Sequence, residues 1–242
     1  MVKIAVCYWG MTRSTKFVYN SHINNLFNVF ENNNIDFDIF MHTWETESDS
    51  QSIGYSCYNI SVDYEEYKLL NPTFYKIDNQ PDFLNTITFE NYFDKQMYDR
   101  YGDSPQYEWM PQLIRNHLCA LESQKRVYNM VIESDNCYDY IMYVRPDVEI
   151  LNLFDVNCLN SDFDIILPNY DHHEGLNDRF AIIPFDKALK YSTRIDEIIE
   201  FRKKCGRIVS EKYVKYIIDN YYPNLQFIDF VMKIIRPGGK LA

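Results

Sequence analysis

Tyr138-Asp139-Tyr140-Ile141-Met142-Tyr143-Val144-Arg145-Pro146-Asp147-Val148-Glu149-Ile150 changes character halfway along. Up to Val144 it is aromatic, apolar and β-branched, bounded upstream by Ser134, Asp135 and Asn136. A short unbroken apolar run of that kind reads as a buried central strand, covered on both faces. Pro146 stops it, because proline has no N–H to give a ladder and holds the residue before it extended. A cation, Arg145, and two carboxylates, Asp147 and Glu149, sit at the break. In α/β sheets ligands bind in the crevice beyond the carboxyl ends of the strands. By position alone this charged cluster fits a ligand site or a solvated turn equally well.

Outward from it, the pattern alternates. Upstream, Pro111 opens a helix to about Glu133 whose buried stripe is Ile114, Leu118, Leu121, Val127, Met130 and Val131. Arg115, Cys119, Glu122 and Arg126 share another face, of the kind that is usually solvated. Earlier still, a strand from Met1 to Tyr8 ends in Trp9-Gly10-Met11-Thr12-Arg13-Ser14, and a helix capped by Ser14 or Thr15 follows with Phe17, Ile23, Leu26, Phe27 and Phe30 in step. Asp36 to Trp44 is a second buried strand. From there to Gly102 the signals mix: an exposed acidic loop over 45–52, a short helix over 63–70 and a strand over 73–77, while Tyr92, Phe93, Tyr98 and Tyr101 keep no period. Downstream, Phe163 to Pro168 and the run from Phe180 are strands, Asp186 to Lys203 and Ser210 to Asn220 helices, and Leu225 to Ile235 is β-like. The fold class is α/β: one domain over 1–242, with a mostly parallel central sheet, helices on both faces and an antiparallel insertion in the C-terminal half.

Composition narrows the partners. The 242 residues carry a formal charge of −11 with no Lys/Arg-rich run, which disfavours nucleic acid. No apolar run approaches the length of a membrane span and the N-terminus reads as a strand rather than a signal peptide. The six cysteines are scattered without a C-x-x-C pair, as buried free thiols in a reducing, cytoplasmic setting would be.

Two further segments carry chemistry. A strand, a tight Gly10 turn and a helix N-terminus form the usual anion pocket, to which Arg13 adds a forked cation suited to phosphate. The pattern is neither G-x-G-x-x-G nor a Walker loop, so a surface turn with a solvated arginine is the simpler reading of the motif alone. In Asn169-Tyr170-Asp171-His172-His173-Glu174-Gly175-Leu176-Asn177-Asp178-Arg179, the adjacent histidines suit a shared metal poorly without a spaced third ligand. Asn177 and Asp178, just before an apolar strand, are held at a strand start.

Taken in order, Trp9-Gly10-Met11-Thr12-Arg13-Ser14, Asp38 to Trp44, Asp139-Tyr140 through Arg145-Pro146-Asp147, Asn177-Asp178-Arg179-Phe180-Ala181 and Ser210-Glu211 resemble a small GT-A-type glycosyltransferase with a Rossmann-like sheet, of the kind found in large DNA viruses and bacterial polysaccharide clusters. The resemblance implies transfer of a sugar from a UDP- or GDP-type nucleotide-sugar donor to a glycan or other hydroxyl acceptor. It implies nucleotide contact by Trp9, Gly10, Thr12, Arg13 and Thr43, with Arg145, Asp147 and Asn177 also lining the donor site. It gives Asp178 as catalytic base, with Glu211 the alternative. The family's Asp-x-Asp motif binds a divalent cation, Mn²⁺ or Mg²⁺, on the diphosphate. Here Arg145-Pro146-Asp147 replaces it, so Asp147 would be the main protein ligand to a metal, with Glu149 nearby, or Arg145 would itself offset the diphosphate charge. The rivals are a metal-dependent phosphoesterase built on Asp147, Asp171, His172 and His173, and a non-catalytic relative that binds nucleotide or glycan.

Overall fold

The computed structural model describes residues 1–46, 50–53, 56–61, 63–94 and 110–241. Its strands are β1 (Lys3–Trp9), β2 (Asp36–Glu45), β3 (Ser50–Ile53), β4 (Ser56–Ser61), β5 (Phe74–Asn79), β6 (Tyr140–Val144), β7 (Val148–Ile150), β8 (Ile165–Pro168), β9 (Phe180–Pro184), β10 (Leu225–Ile228), β11 (Met232–Arg236) and β12 (Lys240–Leu241). Seven of them make one sheet in the order β10-β8-β9-β6-β1-β2-β5. Its strands pair in parallel except at β9, which runs against both β6 and β8. The quoted stretch therefore supplies a central strand, β6, whose partners are β1 and β9.

Period-two alternation sorts side chains between two cores. Ile4, Val6 and Tyr8 of β1 join Leu26, Phe27 and Phe30 of the first helical segment, with Val148, Ile150 and Met232 of the small β12-β11-β7 sheet. Ala5, Cys7 and Trp9 point the other way, onto Leu118, Leu121 and Val127 of the long helix (Met110–Glu133) and Tyr213 and Ile217 of the last helix (Ser210–Tyr221). Strands covered on both faces read as continuous apolar runs, which is why β1 and β6 were legible.

Several details differ from the sequence reading. The first helix (Thr15–His22) passes through a π-helical turn over Ile23–Phe27, and Phe17 lies exposed against Gly239. Ser14 makes no capping bond: its hydroxyl donates to the Ile235 carbonyl. Part of the expected 45–52 loop is β3, paired with β4. The expected helix over Asp186 to Lys203 is broken into Leu189–Ser192, a 3₁₀ turn over Arg194–Glu197 and Ile198–Cys205. The face expected to be solvated is packed: Cys119 is buried, and Arg126 stacks on Trp44 while pairing with Asp78 and Glu122. Cys7 and Cys119 are buried thiols, whereas Cys137 and Cys205 are exposed. No helix among the described residues is long and apolar enough to cross a membrane.

His22 ties the two layers together. Its Nε2–H donates to the Val148 carbonyl at 2.7 Å and its Nδ1 accepts from the Tyr8 hydroxyl at 2.8 Å. Burial, which outweighs the Val148 bond and Asp147, keeps the ring neutral and lowers its pKa to about 4. The unfolded chain takes up this proton near 6.5, so His22 costs stability as pH falls from there through about 4 and nothing further below. We expect a slope of about 1.4 kcal/mol per pH unit from this group in that window, read from urea midpoints and reduced by that amount in His22→Gln. An unchanged slope in the variant would mean the ring titrates normally.

Candidate active site

The site is assembled by backbone stitching around the exits of β1 and β6. Gly10 leaves β1 at φ +88°, a left-handed value that glycine adopts without steric cost. Its N–H donates to Ser123 Oγ on the long helix at 2.8 Å, and that hydroxyl lies 2.7 Å from His42 Nδ1. His42 Nε2 faces the Asp78 carboxylate at 3.2 Å, which Arg126 also holds. The first turn is thus anchored from behind by Ser123, His42, Asp78 and Arg126, while the space over Gly10 is open: a Cβ there would meet no atom within 4 Å.

Next along the chain, the Ser14 hydroxyl donates to the Ile235 carbonyl at 2.7 Å and that of Thr15 to the Pro146 carbonyl at 3.2 Å. Ile235 N–H donates to the Asp147 carbonyl at 2.8 Å. These three bonds fix the neighbours of Arg13, Asp147 and Arg236, and so gather their side chains. Arg145 grips Asp147 with Nε on Oδ1 at 2.8 Å and Nη2 on Oδ2 at 2.6 Å; Arg13 Nη2 stands 3.5 Å from Oδ2. Only 3% of the Asp147 side chain is exposed. Burial opposes its charge, but Arg145, then Arg13 and Arg236, outweigh that and lower its pKa to about 2. Arg13, in turn, is lowered to about 10 by burial and by Arg145 and Arg236, although Asp147 works the other way.

The other end of the site is acidic. Arg145 N–H donates to the Arg179 carbonyl at 3.2 Å, which brings the start of β9 alongside. Burial disfavours the Arg145 charge, yet Asp147, then Asp178 and Glu211, raise its pKa above the ordinary value. Asp178 therefore lies in the field of Arg145, as does Glu211 from the first turn of the last helix. Glu211 is held by its main chain, whose carbonyl accepts from Leu176 N–H at 2.9 Å. Gly175 makes that approach possible, since a Cβ on it would fall 2.0 Å from the Glu211 oxygen. Gly175→Ala should therefore push the loop from the helix, costing about 1–3 kcal/mol by overpacking. Thermal melts check this, and an unshifted midpoint would show the contact to be compliant.

Of the expected site residues, Gly10, Arg13, Arg145, Asp147, Asp178 and Glu211 come together. Thr12 and Thr43 are near the same strand ends but buried. Trp9 is turned into the core, edge-on to Tyr143 at 5.8 Å, so its side chain supports the loop from beneath. Asn177 spends its amide inside its own loop, donating to the Tyr170 carbonyl at 3.0 Å and accepting Arg179 N–H at 2.9 Å. His172 accepts Asn177 N–H, Asp171 pairs with Arg179, and among the described residues no three His, Cys, Asp or Glu side chains converge on a point. Glu149 lies across from Lys233 in the β7–β11 ladder. With both Asp147 oxygens taken by Arg145 and three guanidinium groups close by, this donor set does not fit Mn²⁺ or Mg²⁺, which take carboxylate, phosphate and water oxygens.

Sequence reasoning missed a buried polar group beside Asp178. His117 Nε2, the Tyr191 hydroxyl and Arg194 Nε are buried and have no hydrogen-bond partner, and the Arg194 guanidinium stacks 4.1 Å over the Tyr191 ring. Burial lowers His117 to about 4, with Asp178 opposing and Arg194 reinforcing the shift. His117 and Arg194 fell within two expected helices, and no spacing rule links them. A separate depression of about 320 Å³, lined by Asp139, Ser161, Asp162 and Lys187 among others, sits at the opposite, amino-terminal end of β6 and holds none of these residues.

No family model matches the chain, and no curated protein does. Solved structures similar to it include galactosyltransferase LgtC in complex with donor and acceptor sugar analogues (9% identity, TM-score 0.41, 93% of this chain and 72% of that one). Others are apo glycosyltransferase GlyE of Streptococcus pneumoniae TIGR4 (12%, 0.42, 93% and 45%) and apo mouse xyloside xylosyltransferase 1 (8%, 0.40, 94% and 85%). The chain thus spans less than half of GlyE and most of the other two.

Proposed function

We propose that the chain is a nucleotide-sugar-dependent glycosyltransferase, moving a sugar from a nucleoside-diphosphate donor of the UDP or GDP type to a hydroxyl of a glycan or other acceptor. The observation that carries this reading is a guanidinium cluster with two carboxylates in the field of one of its members. Arg13, Arg145 and Arg236 all act on Asp147, while the carboxylates of Asp178 and Glu211 act on Arg145. Glycosyl transfer separates charge. As the bond from the anomeric carbon to the diphosphate oxygen breaks, negative charge grows on the leaving phosphate, and the acceptor hydroxyl must give up its proton. Guanidinium groups suit the first event and a carboxylate the second, with an oxocarbenium-like sugar between them.

In this reading the open side of Gly10 and the Arg13 fork border the nucleotide, with Thr12 and Thr43 at the neighbouring strand ends. Asp178 takes the acceptor proton, and Glu211 is the next carboxylate in line. Asn177 fixes the turn that aims Asp178, and Trp9 holds the floor of the loop. Hydrolysis of a panel of UDP- and GDP-sugars, run beside a generic phosphodiester, tests the proposal. We expect turnover of a nucleotide sugar, and nucleoside diphosphate binding weakened by about 1.5–3 kcal/mol in Arg13→Ala, the range for a hydrogen bond to a charged group. Phosphodiester cleavage without sugar release would replace this reading by the phosphoesterase one, and binding without turnover would leave a non-catalytic relative.

A further inference from the structure

We propose that the donor diphosphate is held without a divalent cation, by the guanidinium groups of Arg13, Arg145 and Arg236. The inference rests on the glycosyltransferase reading and departs from the metal expected at Asp147. Its new member, Arg236, comes from the last residue of β11, a segment that no motif in the sequence connected with the site.

Three observations support it. First, the Ser14 hydroxyl on the Ile235 carbonyl and the Ile235 N–H on the Asp147 carbonyl hold the end of β11 at this spot, and Arg236 acts on the same carboxylate that Arg13 and Arg145 approach. Three guanidinium groups converge there, and Arg145 and Arg236 both work against the charge on Arg13, so the spot favours a further anion over a dication. Second, the Asp147 carboxylate is committed. Arg145 occupies both oxygens, so a metal would have to displace a bidentate pair to gain its ligand, and among the described residues no cluster of His, Cys, Asp or Glu is arranged to complete its shell. Third, Arg13 Nε is buried with no hydrogen-bond partner although its Nη2 reaches Asp147, so part of this fork is unused by the protein. An unspent guanidinium donor in the turn that follows Gly10 suits phosphate oxygens. Asp178 and Glu211 act on Arg145, which leaves Arg13 and Arg236 for the phosphates.

Isothermal titration of the whole chain with UDP, GDP and inorganic pyrophosphate tests this, in EDTA and again with Mn²⁺. We expect the tightest of the three to bind equally in both buffers, within about twofold, and to weaken about tenfold or more in Arg236→Gln, the loss of one charged hydrogen bond. Arg236→Lys should recover part of the loss, and Arg13→Gln gives the same reading should Arg236→Gln fail to fold. Binding that requires Mn²⁺, or that survives unchanged in folded Arg236→Gln and Arg13→Gln, overturns the metal-free site and leaves the transferase reading standing. Failure of UDP, GDP and pyrophosphate to bind in either buffer overturns both.

Discussion

Asp178→Asn is expected to cut sugar transfer at least about 10²-fold, the low end for loss of a general base, while nucleoside diphosphate affinity holds. The substitution keeps the size and shape of the side chain but removes the site that accepts a proton. Asp178 lies two residues before β9, within the field of Arg145 and His117, and neither group competes for its role: Arg145 is already engaged by Asp147, and burial makes His117 a weak base, lowered to about 4. Arg179 next to it turns away to pair with Asp171. Initial rates with saturating donor, beside a nucleotide titration, separate the chemical step from binding. A folded Asp178→Asn chain with near-normal transfer would pass the role to Glu211, and Glu211→Gln would then show the large loss.

Arg145→Ala should be the most destabilising single change at the site, costing about 3–5 kcal/mol, the range for removing one partner of a buried ion pair. Asp147 would keep its charge inside the protein while losing both of its short hydrogen bonds, and Arg13 at 3.5 Å replaces them poorly. The effect is visible in acid as well. Because the folded-state pKa of Asp147 is depressed to about 2, its contribution is complete above the ordinary value of 3.8 and is lost as pH falls through 2. Wild type should therefore lose this increment between about pH 4 and 2, and Arg145→Ala should not. Urea unfolding at pH 7 and pH 3 gives both numbers. A loss below about 1 kcal/mol at pH 7 would place the pair with ordinary surface salt bridges.

Much of this was legible in the chain because it follows local rules. The apolar runs of β1 and β6, the Gly10 turn and the proline stop after Arg145 each constrain a few consecutive residues, and each maps onto the fold within a residue or two. What escaped depends on who meets whom across the sheet. Ser14 has the chemistry of a helix cap, yet a tertiary partner, the Ile235 carbonyl, claimed its hydroxyl. Arg126 looked solvated from its helix position, until Trp44 and Asp78 arrived from β2 and β5 to cover it. Arg236 had no periodic or motif signature at all. It entered the site through the pairing of β11 with β7, which sequence spacing cannot reveal.

The hydroxyl of Ser14 and the carbonyl of Ile235 that it bonds are 221 residues apart. That separation has a kinetic meaning. Local helices and the β1–β2 pair can form early, since little chain entropy is lost in joining near neighbours, whereas contacts between distant segments come slowly. The guanidinium cluster needs β11 in place against β7 and the first helix, so refolding should restore far-ultraviolet signal before nucleotide affinity. A ligand added during that delay would meet a formed sheet with an unfinished binding site. Its late recovery would date the arrival of the last strands.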